Sequence, residues 1–386
     1  MMKTLVRGAA ALSAFLAFTA SASAQGTLST QGFGYPPGQY STRALATGGS
    51  LGEFDPDSPL NPASISTSPD ARLFLQYEPE WRKITTGGKS SSGLTARFPV
   101  ISASVPLGSK GSVGLSASTF LDRSSSTTFT HDETIAGTPA TITETTTSLG
   151  SINDLRLAVA YSPSGKIQVG IGGHAYTGQN RQAFLQSFPD SLNFSSVSQL
   201  NTIGFQGFAV SVGVLARPAR NFGIALSGRK GGGIEAHTDS DSSTSRLSKA
   251  NIPDRYGAAI IYDGIPGSSI SAHVSRDLWS RLNGLGSTDA VAVDSWDGGF
   301  GIESLGPRIV QRQSILRVGV RYRTLPFLAA GAEVKEFSLA AGLGAQFFRN
   351  RAAFDVGLER AQRKTDGSVD ASERGYILSF GLRVRP

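Results

Sequence analysis

The residues best equipped for chemistry in this chain are four histidines, a set of arginines and carboxylates on extended segments, and many serines. His131, His174, His237 and His273 lie far apart with no i, i+4 pair, so the helical histidine spacing of a zinc site is missing and each reads as a wall or loop residue. No serine reads as a nucleophile elbow, the G-x-S-x-G turn between a strand and a helix. Hydrolytic groups carried on separate strands would escape such a motif search, but nothing in the sequence asks for an enzyme or a cofactor. The acidic stretch Asp289 to Asp297, with Asp294-Ser295-Trp296-Asp297-Gly298-Gly299, offers oxygen atoms but lacks the full spacing of a calcium loop, and reads as a solvated surface loop. Arg156, Arg317, Arg321 and Arg383 recur on extended segments, as do Asp355 and Glu359. If those segments line a common interior, the charges should meet as ion pairs, because buried charges need partners. A carboxylate-binding arginine stripe is the sharper alternative.

The elements that must position these side chains are strands. From about residue 71 onward, apolar residues fall on alternate positions for ten or so residues, followed by a turn or a polar loop, which is the period of a strand with one apolar face. Leu316, Val318, Val320 and Tyr322 alternate with Arg317, Gly319, Arg321 and Arg323; Tyr376, Leu378, Phe380, Leu382 and Val384 alternate with Ser379, Gly381, Arg383 and Arg385. One set suits lipid and the other a wet interior. This reading gives about fourteen strands, near 71–83, 93–105, 112–123, 151–162, 166–178, 203–216, 220–230, 255–263, 267–277, 314–323, 326–334, 337–348, 351–362 and 373–384. Tight turns are expected at Ser164-Gly165, Pro218-Ala219, Ile265-Pro266 and Arg349-Asn350, and long Ser/Thr/Asp/Gly-rich loops at 124–150, 179–202, 231–254 and 278–313. The fold class is therefore all-β, an antiparallel transmembrane barrel.

Composition agrees. Mean hydropathy is near zero, as expected when lipid-facing and lumen-facing residues average out. The chain begins with a basic Met1-Met2-Lys3-Thr4-Leu5-Val6-Arg7, an apolar run from Gly8 to Phe18 and a small-residue end at Ala22-Ser23-Ala24, a secretory signal expected to occupy 1–24. The alternative, a membrane anchor, needs a longer run of roughly 20 apolar residues. There is no cysteine for a disulfide or a lipid anchor, and the formal charge of +7 comes from basic residues scattered singly, which argues against a nucleic-acid surface.

Residues 25–70 are neither signal nor alternating strand, and the barrel is expected over 71–386. This segment is dense in Gly and Pro, with Phe33, Tyr35, Tyr40, Leu45, Leu51, Phe54, Leu60 and Ile65 interleaved. It is either a loose leader or a compact plug, and the apolar residues favour the plug. The stretch Ser41-Thr42-Arg43-Ala44-Leu45-Ala46-Thr47-Gly48-Gly49-Ser50, followed by Asp55 and Asn61-Pro62-Ala63-Ser64-Ile65, resembles the N-terminal signature of the FadL-type long-chain fatty acid transporters. That resemblance implies an outer-membrane barrel of fourteen strands, an N-terminal hatch carrying Asn61, Pro62 and Ala63, and passive uptake of hydrophobic small molecules. It also implies sideways exit near an inward-kinked third strand. Phe33, Tyr35, Phe54, Phe74 and Phe120 are the candidate ligand-lining residues, and outer-membrane lipid and the barrel assembly machinery are the expected partners. Two departures stand out. The third expected strand, Ser112 to Arg123, has no proline to kink it, only Gly114, and the chain ends Leu382-Arg383-Val384-Arg385-Pro386 without a terminal aromatic. The family also includes secretion proteins, so a structural or secretion-accessory barrel and an aqueous porin stay open as alternatives.

Overall fold

The computed structural model describes residues 28, 34–86, 89–135, 138–189, 194–240, 243–285, 291–309, 312–329, 331–348, 351–365 and 371–385. The signal region 1–24, Phe33, Asp289 and Arg349-Asn350 lie outside them. The described residues form seventeen strand segments: β1 (Arg72–Thr86), β2 (Lys89–Arg97), β3 (Val100–Leu107), β4 (Gly111–Asp122), β5 (Ser125–Ile135), β6 (Thr138–Ser164), β7 (Ile167–Ser187), β8 (Val197–Ala219), β9 (Phe222–Ser240), β10 (Ser243–Asn251), β11 (Asp254–Ile265), β12 (Ser268–Leu278), β13 (Ser295–Ile309), β14 (Arg312–Thr324), β15 (Val334–Phe347), β16 (Ala352–Thr365) and β17 (Ala371–Val384). Every pairing is antiparallel, and β1 pairs with β17, so the sheet closes on itself. Closure removes the free edges that lipid cannot hydrate.

Three barrel strands are each interrupted once. β2 and β3 break at Phe98-Pro99, β4 and β5 at Arg123-Ser124, and β10 and β11 at Ile252-Pro253, which leaves a closed fourteen-stranded barrel. At two of the breaks a proline removes the ladder donor. The outer face is an apolar belt in which Leu157, Ile171, Val212 and Val318 are more than half exposed.

The strand count agrees with the sequence reading, but two assignments and the loops do not. The stretch 278–313 is not one loop, for it holds β13, whose inward Gly299 and Gly301 hide its alternation. The stretch 326–334 is not a barrel strand; its Phe327 and Ala329 turn inward in a loop held by isolated bridges from Phe327 to Ala292 and from Ala329 to Ala332. The polar stretches 124–150, 179–202 and 231–254 are largely strand extensions rather than loops. At 27 residues β6 is far longer than the roughly 9–11 a bilayer requires. Above the belt both faces are wet, so the apolar period disappears while hydroxyl pairs such as Thr128–Thr145 and Thr130–Thr143, each at 3.2 Å, still link the strands. The turn expected at Pro218-Ala219 falls just after it, beyond the end of β8 at Ala219.

Residues 34–65 are mostly buried against the inner wall of the barrel, and this N-terminal segment is termed the hatch. Helix α1 (Thr42–Ala46) is capped by Ser41, whose Oγ accepts from the Ala44 N–H at 3.1 Å, and it packs on the β14–β17 wall. A 3-10 turn, Pro62–Thr67, packs on β4 and β6–β8. Asn61 Oδ1 accepts from the Ala63 N–H at 3.0 Å, Pro62 occupies the first turn where its missing N–H costs nothing, and Asn61 Nδ2 donates to the Leu226 carbonyl at 3.3 Å. The wall opposite is glycine because the hatch backbone touches it. A Cβ on Gly170 would lie 2.5 Å from both Ala63 N and Pro62 C. Gly170→Leu is therefore expected to expel the 3-10 turn, at a cost of about 1–3 kcal/mol or more, seen as faster amide exchange over 61–67 with β7 still protected. Unchanged exchange there would show that the contact is not tight.

Candidate functional site

The tip of the hatch is held by Tyr35. Its N–H donates to the Asp122 carbonyl and the Asp122 N–H donates back, both at 2.8 Å, so the hatch adds one residue of antiparallel pairing to β4. Gly34 precedes it at φ +119, where a side chain would strike Asp122. The Tyr35 ring sits among four guanidinium groups, those of Arg363, Arg323, Arg82 and Arg97, at 4.7, 5.0, 5.1 and 5.3 Å from its centroid. Glu78, Glu80, Asp122, Glu336 and Glu373 neutralise these arginines; among the contacts are Arg363–Glu80 at 3.0 Å, Arg97–Glu78 at 2.9 Å and Arg97–Asp122 at 3.2 Å. Arg363 and Arg323 both donate to the Tyr35 hydroxyl, the former at 2.9 Å.

Below this tip, charges on the hatch meet opposite charges on the wall. Arg43 pairs with Glu303 at 2.7 Å and Glu53 with Arg255 at 2.7 Å, while Asp57 pairs with Arg383 and, at 3.4 Å, with Arg72. Tyr40 donates to Asp297 at 3.0 Å beneath the Arg321 guanidinium. Of the lumen charges picked out from sequence, Arg317 bridges Glu303 and Asp355, both at 2.6 Å, Arg383 lies 3.9 Å from Asp355, and Arg321 binds Asp297. Glu359 lies within the field of Arg321. Arg156 is set apart: it is 3% exposed, and its Nε and Nη1 find no acceptor among the described residues.

His174 bridges two wall residues, with Nδ1 2.8 Å from Asp154 and Nε2 2.9 Å from Ser211, and the hatch residue Gln39 donates to Asp154 at 3.0 Å and to Ser118 at 2.6 Å. His273 lies 3.2 Å from the Tyr40 hydroxyl. His131 and His237 stand on the strand extensions. Asp294 caps the loop after β12 through Ser280 Oγ at 2.7 Å. The spacing Gly48-Gly49-Ser50-Leu51-Gly52 matches a nucleophile elbow formally, but Ser50 lies in a hatch turn and donates to the Thr47 carbonyl at 2.8 Å.

Above the hatch the interior turns apolar. Phe120, Tyr176, Phe205, Ile234, Trp279 and Phe327 belong to one buried cluster, with Trp279 stacked on Phe120 at 5.1 Å. The cluster adjoins an irregularity in β4. The register slips between Thr119 and Leu121, and residues Ser118 to Asp122 are all buried, so the in-out alternation lapses. The third barrel strand is thus distorted at Thr119–Asp122 rather than at Gly114, which lies in regular pairing against Ser104 and Ala158. The other candidate lining residues are dispersed. Tyr35 is in the arginine cage, Phe74 lies under the hatch close to Gly381, and Phe54 borders a cavity of about 430 Å³ at the short-turn end, among Arg72, Arg217 and Arg383. Trp279 and Phe327 were missed because they lie on loops, where no period marks them.

Burial pushes the Tyr35 hydroxyl above its ordinary pKa, with Arg323 and Arg363 pulling the other way; burial, reinforced by Asp297, also raises Tyr40. A raised folded pKa means that the associated stability is complete below the free tyrosine value of about 10 and is lost as pH rises through the folded value. Spectrophotometric titration should therefore show late-ionising tyrosines, and amide exchange over the hatch should quicken in the same range. Tyr35→Phe should remove one late step. Ionisation of all nine tyrosines together near pH 10 would contradict this.

No family model matches the chain, and no curated protein matches it in sequence. Solved structures do match in shape. A Pseudomonas aeruginosa FadL homologue aligns over 91% of this chain and 99% of its own with a TM-score of 0.64 at 11% identity. The Ralstonia pickettii toluene transporter TbuX aligns over 92% and 99% with a TM-score of 0.56 at 15% identity, and the CymD monoaromatic hydrocarbon channel over 90% and 97% with a TM-score of 0.56 at 13% identity. Barrel closure and strand number together give this chain the fold of the FadL-type channels.

Proposed function

We propose that this protein is an outer-membrane channel through which small hydrophobic molecules pass without energy input, gated by the hatch. The observation that carries the reading is the position of the apolar cluster, which spans the interior between the long loops and the distorted stretch of β4. A hydrophobic solute entering from the long-loop end meets Trp279 and Phe327 and then Phe120, where apolar burial is worth roughly 25 cal/mol per Å². Directly beneath, the hatch and its ion pairs present a polar floor, so forward movement along the axis would strip the solute of apolar contact. The cheaper route is sideways, where β4 has left regular pairing and lipid lies outside. The names of the neighbouring proteins, a FadL homologue, a toluene transporter and a monoaromatic hydrocarbon channel, support the same solute class. An aqueous porin would need a wet axial path, which the buried hatch argues against, and no observation favours a secretion role.

Because the chain has no cysteine, one engineered disulfide can test gating. Tyr35 and Asp122 are a hydrogen-bonded antiparallel pair, whose Cα atoms stand about 5.5 Å apart, within disulfide range. In the Tyr35→Cys, Asp122→Cys chain, oxidation is expected to stop uptake of radiolabelled toluene into cells, and dithiothreitol to restore it to the level of the same variant never oxidised. Equal uptake in both redox states would exclude gating at this contact. Absence of toluene and decanoate uptake by the unmodified chain, with ion conductance in planar bilayers, would replace the reading with the porin.

A further inference from the structure

Three wall residues that passage of a solute does not require stand as a nucleophile, a base and an orienting acid. Asp154 on β6, His174 on β7 and Ser211 on β8 occupy inward positions of neighbouring strands, and all three are buried. The register sets their spacing. Asp154 is opposite Tyr176 and Ser211 opposite Gly172, so His174 meets each of them across a diagonal of the sheet. His174 Nδ1 is 2.8 Å from Asp154 Oδ1, and Nε2 is 2.9 Å from Ser211 Oγ. An ionised carboxylate can only accept, so Nδ1 carries the proton; in the neutral ring Nε2 then accepts from the Ser211 hydroxyl. Asp154 also accepts from the Tyr176 hydroxyl at 3.3 Å and from the hatch residue Gln39 at 3.0 Å. Serine to base and base to acid are both within the reach that nucleophilic catalysis requires. Residues on three separate strands leave no motif in the sequence.

Arg156 shares this inward face and is opposite His174 in the register. A Cβ on Gly172 would lie 2.6 Å from Ser211 Oγ and 3.5 Å from Arg156 Cδ, so the serine and the arginine border the same glycine. The buried Nε and Nη1 of Arg156 have no acceptor among the described residues, which a packing role does not explain, because an uncompensated buried charge is costly. Backbone N–H groups of paired strands are committed to the ladder, so in a barrel wall a side chain must supply the donors for an oxyanion. Arg156 has them beside Ser211. On one side of the site the apolar cluster begins at Tyr176, whose ring lies 6.3 Å from that of His174, centroid to centroid. On the other the hatch covers it, with Gln39 on Asp154 and Asn61 against Gly213, the next inward position after Ser211.

We infer that Ser211, His174 and Asp154 form a hydrolytic site for carboxylic esters of apolar acids, closed by the hatch in this state and reached when Gln39 withdraws. The inference rests on the reading of the apolar cluster as a solute path, which brings the ester to His174. Ser211 Oγ attacks the carbonyl carbon while His174 Nε2 takes its proton, and Arg156 donates to the oxyanion. The ester C–O bond breaks, and His174 returns the proton to the departing alcohol. Water then attacks the acyl-serine and gives a proton to His174; the C–Oγ bond breaks, Ser211 recovers the proton and the carboxylic acid leaves. Asp154 is a positioning residue that holds the Nδ1–H tautomer. The test treats the full mature chain in detergent with decyl fluorophosphonate and, separately, with p-nitrophenyl decanoate. Peptide mass spectrometry should find the phosphonyl adduct on Ser211. Ester hydrolysis should fall at least about a hundredfold in Ser211→Ala and in His174→Gln, and no further in the double variant, since the two act as a unit. Asp154→Asn should lower kcat while KM stays within about twofold, because the wrong tautomer leaves binding intact. Heat-modifiable migration on a gel reports that each variant has folded. No adduct on Ser211, or undiminished hydrolysis in the folded Ser211→Ala chain, would overturn the assignment. Toluene uptake without the adduct would sink the hydrolytic site alone, and the adduct without uptake the channel alone.

Discussion

Charges buried between the hatch and the barrel wall have no partner except one another, and most of the interior follows from that. Glu53, Asp57 and Arg43 belong to the hatch; Arg255, Arg383 and Glu303 belong to the wall. Removing one partner of a buried pair typically costs 3–5 kcal/mol because the other charge is left uncompensated. Several such pairs acting together fix the hatch in a single register, even though each contributes little net stability over an apolar equivalent. The same constraint explains the small residues facing them. Where the hatch backbone lies against β7, β13 and β14, the wall is Gly170, Gly299 and Gly319, since a side chain there would separate the charges it must bring together.

Tyr35 links this electrostatic interface to the irregularity in the wall. By exchanging two backbone hydrogen bonds with Asp122, it takes over pairing that β4 would otherwise offer to a neighbouring strand. Asp122 in turn neutralises Arg97, one of the four guanidiniums around the Tyr35 ring. Distortion of the third strand and seating of the hatch are thus two aspects of one contact. A movement of the hatch tip would therefore alter the wall at the place where the apolar cluster meets it.

The two faces of the barrel handle charge differently. Inside, most arginines are paired to carboxylates. Outside, Arg360, Lys364 and Arg374 stand exposed near the half-exposed rings of Trp81, Tyr376 and Phe337 at the edge of the belt. Alternation along a strand keeps these two regimes one residue apart, as between inward Arg363 and outward Lys364.

The sequence alone determined that the chain is a barrel, because a period of two in apolar residues needs no knowledge of partners: Leu316 to Tyr322 against Arg317 to Arg323 already separates lipid from lumen. The Asn61-Pro62-Ala63 turn is legible too, because its capping is local. Where both faces see water, as at Thr143 to Ser151, or where the inward face is glycine against the hatch, as in β13, the period vanishes although the strand persists. Apolar loop residues at 326–334 imitate it where no barrel strand exists. The distortion at Thr119–Asp122, the cage around Tyr35, the isolation of Arg156 and the meeting of Phe120 with Trp279 and Phe327 were decided only by the tertiary structure. Each depends on residues distant in sequence arriving at one place, and barrel closure, not local propensity, sets that register.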